Sequence, residues 1–262
     1  MTITAQDVKA LRDATGAGMM DAKNALTKAN GDVEAAHQLL REQGLAKALT
    51  RNDRASNQGA VAVVGDSSSA ALVMLKCETD FSAKNKEFVS LTESLARSVH
   101  ADGPAATIKH TSDIQDIQLT LKENIALGEV QYIVGAEGNT VDFYVHKQHG
   151  RGINAVIVEG SGVDGEALHQ VALHIAFAMP KHLCIEDVSP EEVERERHAL
   201  LEITRAEGKP EHAWNKIVEG RLQGWYKERV LLEQDLLGSK ATVKSSIGNG
   251  LIVRFAQVVV GV

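Results

Sequence analysis

The chain has 262 residues, 44% of them apolar and 24% charged, and its 35 acidic and 28 basic side chains leave a formal charge of -7. This composition is typical of a globular protein, and the length favours about two structural units. The acidic balance argues against general nucleic-acid binding, because phosphate backbones attract clustered Lys and Arg.

The sequence has no run of ~18 apolar residues that predicts a membrane span, and its first residues lack the basic and apolar stretches of a secretory signal. We therefore expect a cytosolic protein that does not bind a membrane. Cys77 and Cys184 lie among apolar residues, which favours reduced core side chains over a disulfide.

The N-terminal part of the chain predicts three short helices. Thr4 can cap the first, and the glycines within residues 16–18 end it, because glycine adopts left-handed conformations without steric cost. A second helix is predicted over residues 19–29, and Asp32 caps a third that ends at Gly44. Such a unit holds only a small core, so we expect it to act in recognition rather than in chemistry.

After a polar linker the pattern changes to alternating strands and helices. A hairpin and an amphipathic helix come first, and a similar order of strand, loop, strand and helix recurs before a final strand. This recurrence predicts two similar α+β halves. The predicted strands are 61–64, 71–75, 141–145, 155–158 and 251–260, and the predicted helices are 86–100 and 166–179.

Between the later helix and the final strand lies a predicted helical hairpin. Ser189, Pro190 and Glu192 stand in the order of a capping box with a first-turn proline. Residues 208–210 (GKP) end the first helix and start the second. The second arm carries an apolar stripe that consists of Trp214, Val218, Leu222 and Trp225. Packing of the helices within the chain explains most of this stripe. A projecting arm that contacts a partner is also compatible with it.

A glycine motif gives the alternative function, that of a nucleotide-dependent oxidoreductase. Gly160, Gly162 and Gly165 fit G-x-G-x-x-G, follow an apolar strand and precede a helix, as a dinucleotide site requires. Glu159 and Asp164 place negative charge where a pyrophosphate would bind. A turn in which Asp164 caps the helix is the simpler interpretation.

Other catalytic signatures are missing from the sequence. It contains neither a phosphate-binding G-x-x-x-x-G-K-[ST] loop nor a G-x-S-x-G nucleophile turn. His146 and His149 have a spacing that could bind a metal, but no further Cys or His completes the ligand set. His169 and His174 are five residues apart and point to different helix faces. These signatures therefore give only weak support to the enzyme classes that they test, and we expect no catalytic residue, no metal site and no cofactor.

The segment before the helix at 86–100 places one large aromatic residue, Phe81, among polar neighbours. A hydrophobic staple does not explain it. If Ser82 caps the helix, the staple partner is the polar Lys86. If Asn85 is the cap, the residue before it is Lys84. Two interpretations stay open: the ring folds back on the core, or it is exposed beside a carboxylate as a protein-binding hot spot.

Two long stretches resemble the signatures of the elongation factor Ts family. They are residues 12–26 (RDATGAGMMDAKNAL), followed by Asn-Gly-Asp at 30–32, and residues 77–81 (CETDF). Two long signatures in order are far more specific than the glycine motif. Shorter matches follow at the family's order and spacing over nearly the whole chain, at residues 144–146, 174–176 with Pro180, 186–189, 208–210, 218–221 and 254–255.

The resemblance implies an α+β fold in several parts. It implies an N-terminal three-helix UBA-like (ubiquitin-associated) module, a core of two α+β subdomains with antiparallel sheets, and an inserted antiparallel coiled-coil hairpin. The implied boundaries are 1–54 for the module, 55–140 for the N-subdomain, 141–186 with 229–262 for the C-subdomain, and 187–228 for the hairpin.

The resemblance also implies a guanine nucleotide exchange factor without an enzymatic site. Its implied partner is the GTPase elongation factor Tu in the GDP-bound and nucleotide-free forms, with no direct nucleic-acid contact. The loop that disturbs the partner's magnesium and phosphate site corresponds to Thr79, Asp80, Phe81 and Ser82, and His146 corresponds to a supporting contact. The contact of the N-terminal module corresponds to Arg12, Thr15, Gly16, Gly18, Met19 and Met20.

The chain departs from the family pattern in a few places. Ser82 stands where the family usually has an aliphatic residue, so we expect the depth of loop insertion to differ. Residues 147–152 are not the commonest form, which weakens the transfer to His146. The sequence ends soon after its last predicted strand, so we expect no contacts through the extra C-terminal helical segment of some members.

Overall fold

The structure, a computed structural model, describes residues 3–49 and 54–261. Its α-helices are α1 Ala5–Thr15, α2 Met19–Lys28, α3 Val33–Leu49, α4 Asp80–Ala83, α5 Lys86–Asp102, α6 Thr111–Leu121, α7 Gly165–Ala178, α8 Pro190–Ala206, α9 Trp214–Arg229 and α10 Val243–Ser246. Its strands are β1 Gln58–Gly65, β2 Ser69–Cys77, β3 Ala126–Val134, β4 Asn139–Gln148, β5 Arg151–Ser161 and β6 Leu251–Val259. Short 3-10 helices are Pro104–His110, Ile185–Asp187, Glu211–Ala213 and Leu231–Glu233. None of the helices in the described ranges is long and apolar enough to cross a membrane.

The three N-terminal helices form as predicted. Thr4 caps α1 in a capping box: its Oγ1 accepts from the N–H of Asp7 at 3.2 Å, and its own N–H donates to the Asp7 carboxylate at 2.9 Å. Gly16 ends α1 in the left-handed conformation, with φ of 66°. The helices share a small core of Val8, Leu11, Ala22, Ala25, Leu26, Ala36 and Leu40.

The predicted end of the third helix at Gly44 is wrong, because α3 continues to Leu49. A Cβ atom at Gly44 would lie 2.5 Å from Cδ2 of Leu119 on α6. Glycine therefore lets α3 approach α6 closely, and this packing outweighs its helix penalty of about 1 kcal/mol. An ion pair of 3.3 Å between Arg41 and Asp116 joins the same two helices.

The six strands of the described ranges belong to one antiparallel sheet in the order β3-β2-β1-β5-β4, with β6 paired to β5. The fold class is therefore α+β, as predicted. The first three strands meet the last three where Val61 of β1 pairs with Gly152 of β5.

The sheet folds so that its two halves pack face to face. Successive strand residues point to opposite faces, so each half presents one face to the other half and one face to helices. Between the halves lie Val61, Ala70, Leu72, Met74, Ile133, Val141, Ala155, Ile157 and Val258. On the outer face of the first half, β2 packs against α5 through Ala71, Val73, Leu75, Phe88, Leu95 and Val99. On the outer face of the second half, β5 packs against α7 through Val156, Val158, Leu168, Val171 and Ile175.

The helical hairpin consists of α8 and α9. Ser189 caps α8, as predicted, by accepting from the N–H of Glu192 at 3.2 Å. The capping box is not completed, because the Glu192 carboxylate instead lies 3.7 Å from Nε2 of His182. Along the predicted stripe Trp214 is half-buried, and the remaining members, Val218, Leu222 and Trp225, are buried. The stripe therefore serves mainly intramolecular packing.

Candidate functional site

The segment after β2 forms a single helical turn, α4. Thr79 caps it, since its Oγ1 accepts from the N–H of Ser82 at 3.2 Å. Asn85 then caps α5 through its side-chain oxygen, which accepts from the N–H of Glu87 at 2.8 Å. The chain thus starts two separate helices within seven residues, 79–85, and α4 forms a corner between strand and helix. We call this corner, which contains Thr79, Asp80 and Phe81, the T-D-F corner.

Phe81 lies on the outer side of this corner, where 82% of its surface is exposed. Ser82 and Ala83 face inward and are 2% and 0% exposed. The interpretation that Phe81 folds back on the core is therefore wrong. An exposed ring on a fixed turn is the arrangement expected of a protein-binding hot spot.

Asp80 lies beside Phe81 on the same turn. Its Oδ2 is 2.6 Å from Nζ of Lys84, one helical turn further on. The hydrogen bond from Lys84 and the charge of Lys84 hold the pKa of Asp80 below its ordinary value, with a smaller contribution from Arg151. The corner therefore presents an ionised carboxylate next to an apolar ring at neutral pH.

Glu123, which the sequence analysis missed, holds the base of this corner. Its Oε2 accepts from the N–H groups of Glu78 and Thr79, both at 3.1 Å, and its Oε1 accepts from Oγ1 of Thr79 at 2.6 Å. In return, Oε1 of Glu78 accepts from the N–H of Asn124 at 2.7 Å. The end of β2 is thereby tied to the segment between α6 and β3. No local motif indicates this contact, because Thr79 and Glu123 are 44 residues apart.

Cys77 lies directly below the corner. It is fully buried, and its Sγ donates to the carbonyl oxygen of Thr79 at 3.2 Å. Burial, together with the charge of Glu123, raises the pKa of the Cys77 thiol to about 12. The thiol is thus a packing group rather than a nucleophile, as predicted. Cys184 is only half-buried, so its placement in the core was wrong, and it is also a free cysteine.

Arg151 is buried where the two halves of the sheet meet. Its Nη1 donates to the carbonyl oxygen of Gly59, and its Nη2 lies 3.4 Å from Oε1 of Gln58. Its Nε is the one buried side-chain nitrogen or oxygen without a hydrogen bond within the described ranges. Gln58 of β1 pairs with Cys77 of β2, so this guanidinium lies near the base of the T-D-F corner.

The N-terminal candidate residues come together at the turn between α1 and α2. Thr15 donates its hydroxyl to the carbonyl oxygen of Leu11 at 2.6 Å and accepts from the N–H of Ala17 at 3.3 Å. Met19 and Met20 are 48% and 65% exposed, so this turn presents apolar side chains to solvent. The remaining candidates are Arg12, which is exposed on α1, Gly16 at the end of α1, and Gly18, which precedes α2.

A cavity of about 340 Å³ separates this turn from α6. Thr15, Gly16 and Gly18 line it on one side, and Leu119 and Lys122 line it on the other. Lys122 directly precedes the glutamate that holds the T-D-F corner. The segment after α6 therefore adjoins both of the regions that the family resemblance assigns to partner contact.

His146 occupies an exposed position on β4. Its Nδ1 lies 3.5 Å from Oη of Tyr144, and no hydrogen bond in the described part of the chain joins it to residues 79–82. Its role as a supporting contact stays a prediction. Among residues 3–49 and 54–261, no group of three or more His, Cys, Asp and Glu side chains could hold a metal ion.

The glycine motif has a structural role that differs from dinucleotide binding. β5 pairs antiparallel with each of its neighbours, whereas the dinucleotide fingerprint belongs to a parallel strand-helix-strand unit. Gly160 packs beneath Leu168, where a Cβ would approach Cδ1 to 2.9 Å. Asp164 caps α7, as the simpler interpretation predicts, by accepting from the N–H of Glu166 at 3.1 Å. The oxidoreductase alternative thus lacks support.

Glu159, the carboxylate before the motif, is 1% exposed and serves the fold. Desolvation disfavours its charge, but hydrogen bonds from Asn139, Ala136 and Arg254 outweigh this and hold its pKa below the ordinary value. The three donors lie 2.7, 2.9 and 2.6 Å from its oxygens. This carboxylate therefore links β5, β6 and the turn before β4.

Comparison with known proteins shows the family of the chain. The model of the family described as Elongation factor TS matches residues 78–262. Elongation factor Ts of Clavibacter sepedonicus is 43% identical, over 98% of this chain and 98% of the relative. The proteins of the same name from Paenarthrobacter aurescens (strain TC1) and Cutibacterium acnes (strain DSM 16379 / KPA171202) are each 40% identical, over 92% and 94% of this chain and 91% and 94% of theirs.

These matches place the chain among the elongation factors of protein synthesis. It belongs to the elongation factor Ts family.

Proposed function

We propose that the chain is a guanine nucleotide exchange factor that binds elongation factor Tu with GDP bound and promotes release of the GDP. The observation that carries this proposal is the exposed Phe81, presented beside an ionised Asp80 on a capped turn. Burial of such a ring by a partner contributes about 1.5–3 kcal/mol, which favours insertion of the loop.

Exchange of this kind is a coupling between two binding events. Magnesium beside a nucleotide is held by one or two protein ligands together with phosphate oxygens and water, so a small displacement of its ligands weakens nucleotide binding. A factor that binds the nucleotide-free partner more tightly than the GDP-bound form lowers the GDP affinity by the same ratio. In this proposal Phe81 acts as a wedge, and Asp80 competes for hydrogen bonds near the metal.

The N-terminal helices supply a second contact in this proposal. We assign residues 1–54 to a UBA-like module that docks on the nucleotide-binding domain of the partner through the turn between α1 and α2. The exposed Met19 and Met20 support this assignment, because flexible thioether side chains adapt well to protein surfaces. His146 supports Phe81 at the contact with the partner.

The remaining parts are assigned as two subdomains and an arm. The separate cores beneath α5 and α7 support an N-subdomain over 55–140 and a C-subdomain over 141–186 with 229–262. The pairing of α8 with α9 supports a coiled-coil arm over 187–228, and an ion pair of 2.7 Å between Arg221 and Glu207 fastens its distal end.

Nucleotide exchange neither forms nor breaks a covalent bond. The proposed function therefore requires no catalytic acid, base or cofactor from this chain. It also requires no direct contact with nucleic acid or membrane, which suits the formal charge of -7.

The test follows release of a fluorescent GDP from elongation factor Tu in the presence of magnesium and excess unlabelled nucleotide. We expect this chain to accelerate release in a saturable manner, and Phe81→Ala to reduce the acceleration at least about tenfold. Phe177→Ala is the matched control, because Phe177 is an exposed phenylalanine on another element, with 69% of its surface accessible. Absence of acceleration by the unmodified chain overturns the proposal.

A further inference from the structure

We propose that Glu123 is a positioning residue, which holds the T-D-F corner in the orientation that engages the GTPase partner. This inference rests on the proposed exchange function. It concerns a side chain that reaches the partner only through Thr79, Asp80 and Phe81.

The contacts form a relay from Glu123 to the exposed ring. Oε1 of Glu123 accepts a hydrogen bond from the hydroxyl of Thr79 at 2.6 Å. This bond orients the hydroxyl so that one of its lone pairs accepts from the N–H of Ser82 at 3.2 Å. Oε2 accepts from the N–H groups of Glu78 and Thr79, so the carboxylate fixes both the backbone and the capping side chain. Phe81 lies between the two residues that this relay fixes.

The corner depends on these bonds because it has little other support. α4 has only four residues, Asp80–Ala83, and a helix of this length does not hold its shape by itself. Its anchoring side chains, Ser82 and Ala83, are small, and the large side chain points into solvent. Hydrogen bonds to a carboxylate are charge-assisted and therefore stronger than neutral ones.

The turn after α6 places Glu123 for this role. Lys122 adopts a left-handed conformation with φ of 58°, which ends α6 and directs the following residues toward the end of β2. The N–H of Asn124 donates to the Glu78 carboxylate at 2.7 Å, and Arg54 lies 3.5 Å from the same carboxylate. The bonds run in both directions across the junction, so the two segments move together.

Without the Glu123 carboxylate, the T-D-F corner is not held in place before binding and must become ordered when it binds the partner. We expect Glu123→Ala to lower the GDP-release rate at saturating factor about tenfold. The concentration for half-maximal effect changes less than about threefold, because the N-terminal contact is intact. Glu129→Ala, an equal charge change at an exposed position on β3, is the matched control and keeps the full rate.

A double-mutant cycle distinguishes positioning of the loop from general support of the fold. If Glu123 acts through the ring, Glu123→Ala added to Phe81→Ala lowers the rate by less than about twofold further. Thr79→Val removes the hydroxyl that Glu123 binds, so we expect it to lower the GDP-release rate as much as Glu123→Ala does. This second variant tests the inference even if Glu123→Ala folds poorly. Amide hydrogen exchange at Ser82 becomes faster in both variants, and the melting temperature shows whether the fold is retained.

Each outcome decides the inference. Multiplicative losses in the double mutant, a wild-type rate for Glu123→Ala and Thr79→Val, or an equal loss for Glu129→Ala overturns the positioning role. In these cases the unmodified chain still accelerates GDP release, so the proposed exchange function stands. An inactive unmodified chain overturns both.

Discussion

Phe81 and Ser82 are neighbours in the chain, yet 82% of the first residue is exposed and only 2% of the second. The single turn of α4 directs one side chain to solvent and the other to the interior. The exposed ring contributes little to the folded state, so its presence is better explained by a partner than by the core.

The first prediction compares the contributions to stability of Phe81 and of Phe88, the core phenylalanine nearest to it in sequence. Phe81→Ala should change the free energy of unfolding by less than about 0.5 kcal/mol. Phe88→Ala, at a position that is 0% exposed in α5, should cost about 3–5 kcal/mol. Urea unfolding of both variants measures this difference. Equal losses for the two variants would show that Phe81 packs against the fold in solution.

The sequence alone predicts only part of the T-D-F corner. It excludes a hydrophobic staple, and the structure confirms this, since Asn85 caps α5 and Phe81 has no staple role. The local sequence does not decide whether the ring is exposed, because the groups that hold the turn come from elsewhere in the chain. Glu123 is 44 residues from Thr79, and a contact of that separation leaves no periodic pattern.

The hairpins, the caps and the α+β class were predictable because their signals are local. The sequence pattern predicts no helix or strand within residues 101–134, although they contain a 3-10 helix, α6 and β3. β3 lies at an edge of the sheet and is mostly exposed or half-buried, so it lacks a clear alternation of apolar and polar residues. The helix end predicted at Gly44 is wrong for a similar reason, because the close approach of Gly44 to Leu119 is a tertiary contact that the local sequence does not show.

The second prediction concerns the joint between the two halves of the sheet. A Cβ atom at Gly152 would clash with the carbonyl oxygen of Val61, its partner across β1 and β5, and would lie 2.9 Å from Cγ1 of Val145. Gly152→Ala should therefore destabilise the chain by about 1–3 kcal/mol. Gly220→Ala is the control, because this helical glycine has open space around it and the change should stabilise by about 0.5–1 kcal/mol. A stabilising Gly152→Ala in urea unfolding would contradict the close approach.

The third prediction follows from the depressed pKa of Glu159. Its folded-state pKa lies below its ordinary value of 4.5, so the unfolded chain takes up the proton first as the pH falls. The stability that ionised Glu159 contributes is fully present above about pH 4.5 and is lost as the pH falls through the folded-state pKa. Glu159→Gln should reduce this slope and cost about 1.5–3 kcal/mol at pH 7, because the charged hydrogen bond to Arg254 is lost. Unfolding measured between pH 3 and 7 tests both, and an unchanged acid slope would argue against the prediction.

The last prediction concerns His174, which is 3% exposed beneath the segment after α9. Its Nδ1 accepts from the N–H of Leu237 at 3.1 Å, so its Nε2 carries the proton and donates to Oε1 of Gln234 at 2.9 Å. Burial lowers its pKa below the ordinary value of 6.5, although the bond to Gln234 opposes this. The unfolded chain is therefore protonated first, and stability should fall as the pH drops from about 6.5 toward the folded-state pKa.

His174→Gln should remove this slope while lowering stability at pH 8, since the bond from Leu237 loses its acceptor. His169→Gln, the same substitution at an exposed position on α7, is the matched control. Urea unfolding at intervals between pH 5 and 8 gives both results. A slope that persists unchanged in His174→Gln would contradict the prediction.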